Sequence, residues 1–304
     1  MNYKTIIKSR ETRIKILKLL RFIPDKPMVM LQYKIKLGRF LNLKNPKRFT
    51  EKLQWLKLYY RNDLMIKCVD KYDVRDYVIN KGLAEILIPC YGVFDCVEEI
   101  DFAKLPKEFV AKDTLGGGGN SVIIVKDSSK VNVSSLKKRF IKWTNISANS
   151  IDDGREWPYS EGKRRHRIII EQYISTGYTD LVDYKFFCFN GKVEYLYVLT
   201  DRIMGKDVAL GVFNRDFKQL NVYRADERHL EIEISAPDNF DEMIHIAEKL
   251  SSEFPHARID LYNNNGQILF GEITFFDGSG YMRFEPDEFD YTAGEFLKLP
   301  KKNN

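Results

Sequence analysis

The stretch F-V-A-K-D-T-L-G-G-G-G-N-S-V-I-I-V, residues 109–125, sets four consecutive glycines between two short apolar runs, with Lys112 ending the first run. The flanking runs are typical of β-strands, and the glycines are typical of the turn that joins them. Because glycine allows close approach to its backbone, the loop can present several N–H groups to an anion such as phosphate. It lacks the Lys-Ser/Thr pair and following helix of a Walker A loop. A flexible hairpin tip is the alternative interpretation.

Short β-rich runs continue on both sides of this stretch, interrupted by segments with helical periodicity. Asn190-Gly191 and Asn265-Gly266 each separate two such runs, which is the strongest short-range signal for a β-hairpin. The pattern predicts an α+β fold, with hairpins and mostly antiparallel sheets flanked by helices. The predicted strands are 86–94, 108–112, 121–125, 167–174, 183–189, 192–199, 257–262 and 267–275, and the predicted helices are 5–21, 49–60, 68–82, 134–144 and 239–253.

The charge is distributed unevenly along the 304 residues, 44% of which are hydrophobic and able to form a sizeable core. The net charge is +6, yet residues 1–57 contain sixteen Lys/Arg and three Asp/Glu. This basic arm predicts an anionic partner, either an acidic polymer or an anionic membrane touched peripherally through residues 1–40. A solvated helix packed on the protein's own body is the alternative. No recognition motif points to nucleic acid, so none is expected.

The cysteines and the apolar runs set the expected compartment. Cys68, Cys90, Cys96 and Cys188 form no C-x-x-C pair, which indicates reduced thiols and neither a disulfide framework nor a zinc site. No apolar run approaches the ~18 residues of a membrane span, and the first residues lack the apolar stretch of a signal peptide. We therefore expect a cytoplasmic chain whose membrane contact, on the inner face, is at most peripheral.

Three charged residues mark the C-terminal hairpin. Arg258 and Asp260 are two apart on one predicted strand and therefore face the same side, and Glu272 lies on the next strand. A partner strand can bring Glu272 opposite Asp260, where the two carboxylates repel unless a positive group lies between them. Hard oxygen ligands of this kind suit Mg²⁺, which typically also binds substrate phosphates. A solvent-facing strand edge is the alternative.

The predicted strand 167–174 ends in Glu171-Gln172-Tyr173-Ile174. A strand ending of this kind can act as a hinge whose backbone groups read an adenine edge while apolar residues sandwich the ring. An ordinary core strand is the alternative. Trp157, beside Arg155, is a candidate to stack on a sugar, and packing at a domain edge is the alternative for that residue.

Taken together, these features resemble the ATP-grasp superfamily, and most nearly its TupA-like branch, which is linked with teichuronopeptide and other surface-polysaccharide biosynthesis. The resemblance runs colinearly over roughly residues 40–300. It rests on N-P-K-R-F-T-E-K-L-Q-W-L-K (45–57), D-K-Y-D-V-R-D-Y-V (70–78), F-V-A-K-D-T-L-G-G-G-G-N (109–120), G-R-E-W-P-Y (154–159), I-I-E-Q-Y-I (169–174), D-Y-K-F-F-C-F-N-G-K-V (183–193), R-I-D-L-Y (258–262) and G-E-I-T-F-F-D-G-S-G (271–280).

The resemblance implies an ATP-grasp fold that binds ATP between a small lid and the C-terminal subdomain. It implies a basic helical arm (1–60), an N-terminal α/β subdomain (61–107), a lid with the glycine loop (108–175) and a C-terminal subdomain with a magnesium site (176–304). The implied nucleotide-binding residues are Lys71, Lys112, Gly116, Gly117, Gly118, Gly119, Asn120, Glu171, Gln172, Tyr173, Ile174, Asp180, Asp183 and Lys185. The implied metal ligands are Asp260, Glu272 and Thr274, and the implied catalytic residues are Arg258, Arg202 and Lys112.

Two positions depart from the family pattern. Thr274 stands where many ATP-grasp enzymes carry a metal-binding asparagine, and Asp277 stands where a proline is expected before Gly-Ser-Gly. The implied activity is an ATP- and Mg²⁺-dependent ligase that joins an amine to a carboxylate, such as a uronic acid of a surface polysaccharide precursor, through an acyl phosphate. A kinase acting on a sugar hydroxyl is one alternative, and a glycosyltransferase-associated or non-enzymatic role in the same pathway is another.

Overall fold

The computed structural model describes residues 9–117, 121–147, 154–161, 164–174, 181–200 and 208–302. The helices are α1 (Arg10–Leu19), α2 (Asp25–Leu37), α3 (Phe49–Tyr59), α4 (Asp63–Cys68), α5 (Val74–Asn80), α6 (Val133–Thr144), α7 (Trp157–Ser160), α8 (Phe240–Ser251) and α9 (Phe289–Phe296). The strands are β1 (Cys90–Phe94), β2 (Phe109–Asp113), β3 (Val122–Val125), β4 (Ile168–Gln172), β5 (Asp183–Phe189), β6 (Lys192–Thr200), β7 (Ala209–Asn214), β8 (Tyr223–Arg224), β9 (Arg228–His229), β10 (His256–Asn264), β11 (Gln267–Thr274) and β12 (Phe284–Glu285).

These strands form two main sheets. A small sheet has the order β1-β4-β2-β3, and a large sheet has the order β11-β10-β5-β6-β7-β9. Strands β8 and β12 form a separate pair. Neighbouring strands run antiparallel except β7 and β9, which are parallel. The prediction of an α+β fold with mostly antiparallel sheets is therefore confirmed.

Both predicted Asn-Gly hairpins are present in the large sheet. Asn190 and Gly191 have φ of 51° and 79°, and Asn265 and Gly266 have φ of 52° and 88°. A two-residue turn with positive φ at both positions matches the twist of the flanking strands, and asparagine followed by glycine tolerates it best. These turns set β5 against β6 and β10 against β11.

Each main sheet has its own apolar core. Helix α6 packs Leu136, Phe140 and Trp143 with Ile168 and Ile170 of the small sheet. The larger core joins the large sheet to helices α3, α8 and α9. A third, small cluster of Val29, Tyr33, Leu41 and Tyr281 fixes one face of α2 to the body.

Helix α3 is anchored at its start and lies close to α9. The Glu51 carboxylate accepts the N–H groups of Lys47 and Arg48 at 2.9 and 3.2 Å, which satisfies donors that the first helical turn leaves open. Buried Asp290 of α9 accepts both the N–H and the hydroxyl of Thr50. A Cβ at Gly294 would lie 2.0 Å from the Lys47 carbonyl, so only glycine allows this approach. The fit holds α3 in a fixed position, with Phe49 packed on Phe187 and Phe189 of β5.

Several predicted elements differ from the structure. The helix predicted at 68–82 is present but shorter, since α5 covers only Val74–Asn80, and a separate short helix, α4, precedes it. Between them the Asp70 carboxylate accepts the N–H groups of Tyr72 and Asp73, which competes with continued helix. The strand predicted at 86–94 begins only at Cys90, after Pro89. Helix α2, strand β7 and helix α9 were not predicted at all.

Candidate functional site

Six polar residues share one face of three adjacent strands of the large sheet, which we name the charged face. Lys185 of β5 and Glu272 of β11 are both paired with Asp260 of the central strand β10. Two residues away along each strand lie Asp183, Arg258 and Thr274, with Arg258 paired to Thr274. Residues two apart on a strand point to the same side, so all six side chains meet on one surface. The predicted position of Glu272 opposite Asp260 is confirmed.

A β-bulge at Gly271 brings Glu272 to this face. Counted from the two-residue turn, Asn264 is opposite Gln267 and Leu261 opposite Phe270, so regular pairing would set Gly271 opposite Asp260. The register instead shifts between Asp260 and Leu261. An added Cβ at Gly271 would lie 2.9 Å from the Asp260 carbonyl oxygen. Without the extra residue, Glu272 would point to the opposite side of the sheet.

Arg258 lies between the carboxylates of the charged face. Its Nε and Nη2 donate to the two oxygens of Asp260 at 2.7 and 2.8 Å. Nη2 also donates to Glu272 at 3.3 Å and to the Thr274 hydroxyl at 3.0 Å. Lys185 pairs with Asp260 as well, and its Nζ lies 2.8 Å from Asp183. Arg258 therefore supplies the positive charge expected between Asp260 and Glu272, and Lys185 lies between Asp260 and Asp183.

Burial and charge pairing set the protonation of this cluster. Burial raises the pKa of the Asp260 carboxyl, and the charges of Arg258 and Lys185 oppose that rise. Burial acts to lower the pKa of Arg258, but Asp260 and Asp277 raise it well above its ordinary value. Arg258 consequently keeps its positive charge throughout the physiological range.

Asp277 extends the charged face to a second arginine. Arg258 and Arg224 each donate from Nη1 to one oxygen of Asp277, the latter at 3.0 Å, and both guanidinium groups are at most 10% exposed. Burial acts to raise the pKa of Asp277, but the two arginines hold it below its ordinary value. Asp277, which stands where the family pattern has a proline, is thus neutralised by Arg224, a residue that no local sequence pattern indicated.

Helix α3 holds the loop that follows Asp277. Gln54 donates to the carbonyl oxygens of Ser279 and Gly280 at 3.0 and 2.9 Å. Lys57 is only 1% exposed. It donates to the Ser279 carbonyl at 2.9 Å and to the Gly154 carbonyl at 2.8 Å. Ser279 has a φ of 55°, a backbone conformation unfavourable for a residue with a side chain. The helix thereby stabilises a strained loop beside the charged face.

In the small sheet, Lys112 of β2 and Glu171 of β4 form a largely enclosed ion pair with a nitrogen–oxygen distance of 2.7 Å. Arg75 lies 3.5 Å from the other oxygen of Glu171. Burial acts to lower the pKa of Lys112, but Glu171 raises it, so the amine stays charged. The Gln172 N–H donates to the Pro89 carbonyl at 2.9 Å, and Tyr173 and Ile174 lie just beyond the end of β4.

Lys71 joins the two sheets. Its Nζ donates to the carbonyl of Gly116 in the glycine loop at 2.5 Å and lies 3.9 Å from Glu272 of the charged face. At Gly116 an added Cβ would lie 2.3 Å from the Ser121 Cβ, whereas Gly117 has no neighbour within 4 Å. The lysine therefore marks the place where the loop and the charged face approach each other.

The charged face carries donors of the type that Mg²⁺ binds, and in this structure both Asp260 oxygens and the Thr274 hydroxyl accept from Arg258. Asp260 and Glu272 offer carboxylate oxygens and Thr274 a hydroxyl oxygen, all hard ligands on one surface. Across the described ranges, no group of three or more His, Cys, Asp or Glu side chains is arranged to hold a metal ion. A magnesium ion held by one or two carboxylates usually takes its other ligands from substrate phosphates and water.

Some predicted residues lie outside the described ranges: Gly118, Gly119, Asn120, Asp180 and Arg202. Of the two residues considered for a sugar site, Trp157 is buried in the larger core, with Arg61 over its ring. Arg155 binds the N-terminal arm through Asp25 and the carbonyls of Leu20 and Ile23. The edge-packing alternative therefore describes Trp157 better than sugar stacking.

All four cysteines carry free thiols, and Cys68 and Cys188 are buried. Within the described part of the chain, no helix is both long and apolar enough to cross a membrane.

With this geometry, the chain belongs to the TupA-like ATP-grasp family, whose model matches residues 51–298. No curated protein sequence gives a significant match. Among solved structures, D-alanine–D-alanine ligase from Bacillus anthracis is similar at 18% identity and a TM-score of 0.43, covering 74% of this chain and 59% of the ligase. The corresponding ligase from Helicobacter pylori has 14% identity and a TM-score of 0.43, covering 83% of this chain and 70% of that one.

The ATP-grasp ligase PsnB, solved with a variant precursor, Mg and ADP, has 10% identity and a TM-score of 0.43. The alignment covers 82% of this chain and 66% of PsnB. This chain therefore spans only part of the length of these ligases, and 59% of the Bacillus anthracis enzyme. Family membership rests on the family match alone.

Proposed function

We propose that this protein is an ATP-dependent ligase that joins an amine to a carboxylate through an acyl phosphate. The observation that carries the proposal is Lys71, which contacts both the glycine loop and Glu272 of the charged face. Phosphates bound between these two elements would meet Lys71, Lys112, Arg258 and the metal ligands together. Catalysis of phosphoryl transfer consists mainly of this positioning and charge neutralisation.

In the first step, an oxygen of the substrate carboxylate attacks the γ-phosphorus of ATP. A new P–O bond forms, the bond to the bridging oxygen breaks, and ADP leaves with that electron pair. Lys71 and Lys112 hold the phosphates, and Arg258 neutralises the charge on the transferred group. Magnesium bound by Asp260, Glu272 and Thr274 would supply further positive charge to the phosphate oxygens.

In the second step, the amine nitrogen attacks the acyl carbon, phosphate departs with the C–O electron pair, and the nitrogen loses a proton. No protein nucleophile is required. Arg224 and Arg258 are both held by Asp277, and Arg258 also by Asp260, so their charges are fixed in place beside the metal ligands before any substrate binds.

For the acceptor, we propose an acidic sugar such as a uronic acid of a surface-polysaccharide precursor, with an amino acid or other amine as the second substrate. Support comes from the resemblance to the TupA-like branch. The experiment is a screen of amines against uronic-acid acceptors, with ADP release measured and the product identified by mass. ADP release that depends on both substrates, with an amide product, is the expected result.

Two outcomes would overturn this proposal. ADP formed with a sugar hydroxyl acceptor and no amide would indicate a kinase. Turnover that survives in Glu272→Gln would remove the metal ligand from the mechanism. The matched control is Glu253→Gln, an exposed carboxylate paired only at the surface with Lys81, which should keep full activity.

A further inference from the structure

Large apolar side chains are exposed in an unusual concentration between residues 19 and 40. Leu19, Phe22 and Phe40 are 76%, 82% and 80% exposed. On helix α2, Met30, Leu31 and Ile35 are 42%, 44% and 46% exposed. Elsewhere in the described ranges the exposed apolar residues, such as Ile79 and Ile232, occur singly along the chain. Single exposed apolar residues need no explanation, whereas a concentration of them marks an interaction site.

Helix α2 separates this exposed set from its buried face. Met28, Val29, Gln32 and Tyr33 are buried against the body. Positions 30, 31, 34 and 35 share the opposite face at 3.6 residues per turn. Lys34 lies on that exposed face, and its Nζ sits 4.2 Å from the centre of the Phe40 ring. The outward face of α2 therefore combines apolar side chains with a lysine.

The charge of this segment is strongly positive. Residues 9–40 contain nine Lys/Arg and two Asp/Glu. One of the two acids, Asp25, is paired with Arg155 at 2.9 Å. A surface with Phe, Leu and Ile side chains and an excess of lysine and arginine has the composition of helices that lie in the interface of an anionic membrane.

The segment is fixed to the protein. The buried Arg155 guanidinium donates to the carbonyl oxygens of Leu20 and Ile23 at 3.2 and 3.1 Å. Tyr281 donates to Gln32 at 2.7 Å from the other side of α2. The exposed apolar side chains are consequently presented on a preformed surface.

We propose that residues 19–40 form a docking surface for an anionic lipid bilayer. The membrane fits better than an acidic polysaccharide, because exposed Leu, Met and Ile side chains gain nothing from a charged polymer but transfer favourably into the acyl region. The two contributions, apolar insertion and lysine–lipid attraction, are the pair that stable peripheral binding requires. This inference does not depend on the proposed ligase activity.

The test is co-sedimentation of the full chain with vesicles of phosphatidylcholine alone or mixed with phosphatidylserine. We expect binding to the mixed vesicles that weakens as salt is raised, and little binding to phosphatidylcholine alone. Phe22→Ser/Phe40→Ser should weaken binding at least about tenfold. Lys26→Gln/Lys34→Gln should weaken it about tenfold and flatten its salt dependence.

The matched control is Ile79→Ser/Ile232→Ser, which removes two apolar residues exposed to 50% and 59% outside this surface and should bind like the parent. Equal binding by the parent and the phenylalanine variant would overturn the proposal. So would tight binding to soluble polygalacturonate that the phenylalanine variant retains, because that result indicates a glycan site. A change from dimer to monomer in the phenylalanine variant, seen by light scattering without vesicles, would instead assign the surface to a second copy.

Discussion

The two sheets carry their charges in different ways. On the large sheet, Arg258 contacts Asp260, Glu272, Thr274 and Asp277 in one connected network. On the small sheet, Lys112 pairs with Glu171, and the glycine loop is held through a backbone carbonyl by Lys71. The large sheet therefore presents a set of charges that is fixed before substrate binds. Next to the small sheet, Lys71 and Lys112 lie close to the glycine loop, which has almost no side chains.

The difference suggests a division of labour within the proposed reaction. Charges that neutralise a transferred phosphoryl group act best when they are fixed before the reaction, because no reorganisation is then needed. Groups that admit and release a nucleotide need only a few exchangeable contacts.

Replacing Arg258 with methionine should have the largest effect. It leaves the Asp260 and Asp277 carboxylates buried without their shared cation, which typically destabilises by about 3–5 kcal/mol. Turnover should fall by about 10²–10³-fold. Urea unfolding and ADP release measure the two effects. Arg283→Met, which removes an exposed guanidinium bound to the Lys36 carbonyl, is the control and should change neither. Normal turnover in Arg258→Met would show that the large sheet is not where charge is neutralised.

Two glycines, Gly271 in the large sheet and Gly117 in the glycine loop, differ in the space around them. Gly271→Ala sets a Cβ against the Asp260 carbonyl, so the bulge should shift and carry Glu272 out of position. A misplacement of about 1 Å lowers turnover by about 10²-fold. Gly117→Ala has open space around it and should leave the urea midpoint unchanged. Equal unfolding midpoints for both variants would contradict the assigned role of the bulge.

Lys71→Met tests the link between the regions. Loss of a charged hydrogen-bond donor of this kind should raise the KM for ATP by about 10–100-fold with a smaller change in kcat. The ion pair with Glu272 is long at 3.9 Å, so any loss of stability should come mainly from the hydrogen bond to the Gly116 carbonyl. Lys67→Met, which removes a surface partner of Asp76, provides the comparison in steady-state kinetics. If kcat falls and KM does not, Lys71 acts in the transition state and the division between sheets is wrong.

His256 should give the protein a pH-dependent stability. Its Nδ1 donates to the Cys188 carbonyl at 2.9 Å inside an aromatic cage, and burial lowers its pKa to about 4. The unfolded chain, with a histidine pKa of about 6.5, therefore binds more protons between pH 6.5 and 4, so stability falls as pH decreases through this window. At pH 5 the loss should be about 2 kcal/mol.

Urea unfolding at pH 7 and pH 5 measures this loss. His256→Phe should remove that part of the pH dependence, while His245→Gln, at an exposed position, should retain it. An unchanged pH profile in His256→Phe would assign the acid sensitivity to the carboxylates of the charged face.

Local sequence patterns predicted those parts of the fold that depend on residues close together in the chain. Each Asn-Gly pair fixes its own turn, and alternating apolar residues fix which side of a strand is buried. The bulge at Gly271 could not be predicted in this way. Pairing counted from the Asn265-Gly266 turn would place Glu272 on the opposite face of the sheet from Asp260. The predicted proximity of Glu272 to Asp260 is correct only because a tertiary register shift intervenes.

The residues that bind the Asp277 loop could not be predicted from local sequence either. Lys57 contacts the Ser279 carbonyl across a separation of 222 residues, and Arg224 comes from a strand of only two residues. Neither has a local signal, since an interior lysine of an amphipathic helix and a loop arginine are ordinarily solvated. Only assembly of the fold brings them to the site.

The dipeptide Gly154-Arg155 connects two features that are otherwise far apart in the sequence. Arg155 binds the segment that leads into α2, and the Gly154 carbonyl shares Lys57 with the Ser279 carbonyl. A movement of the arm at a lipid surface would therefore reach the Asp277 loop through two adjacent peptide units. If docking alters substrate affinity by this route, thermodynamic reciprocity requires that bound substrate alter lipid affinity by the same factor.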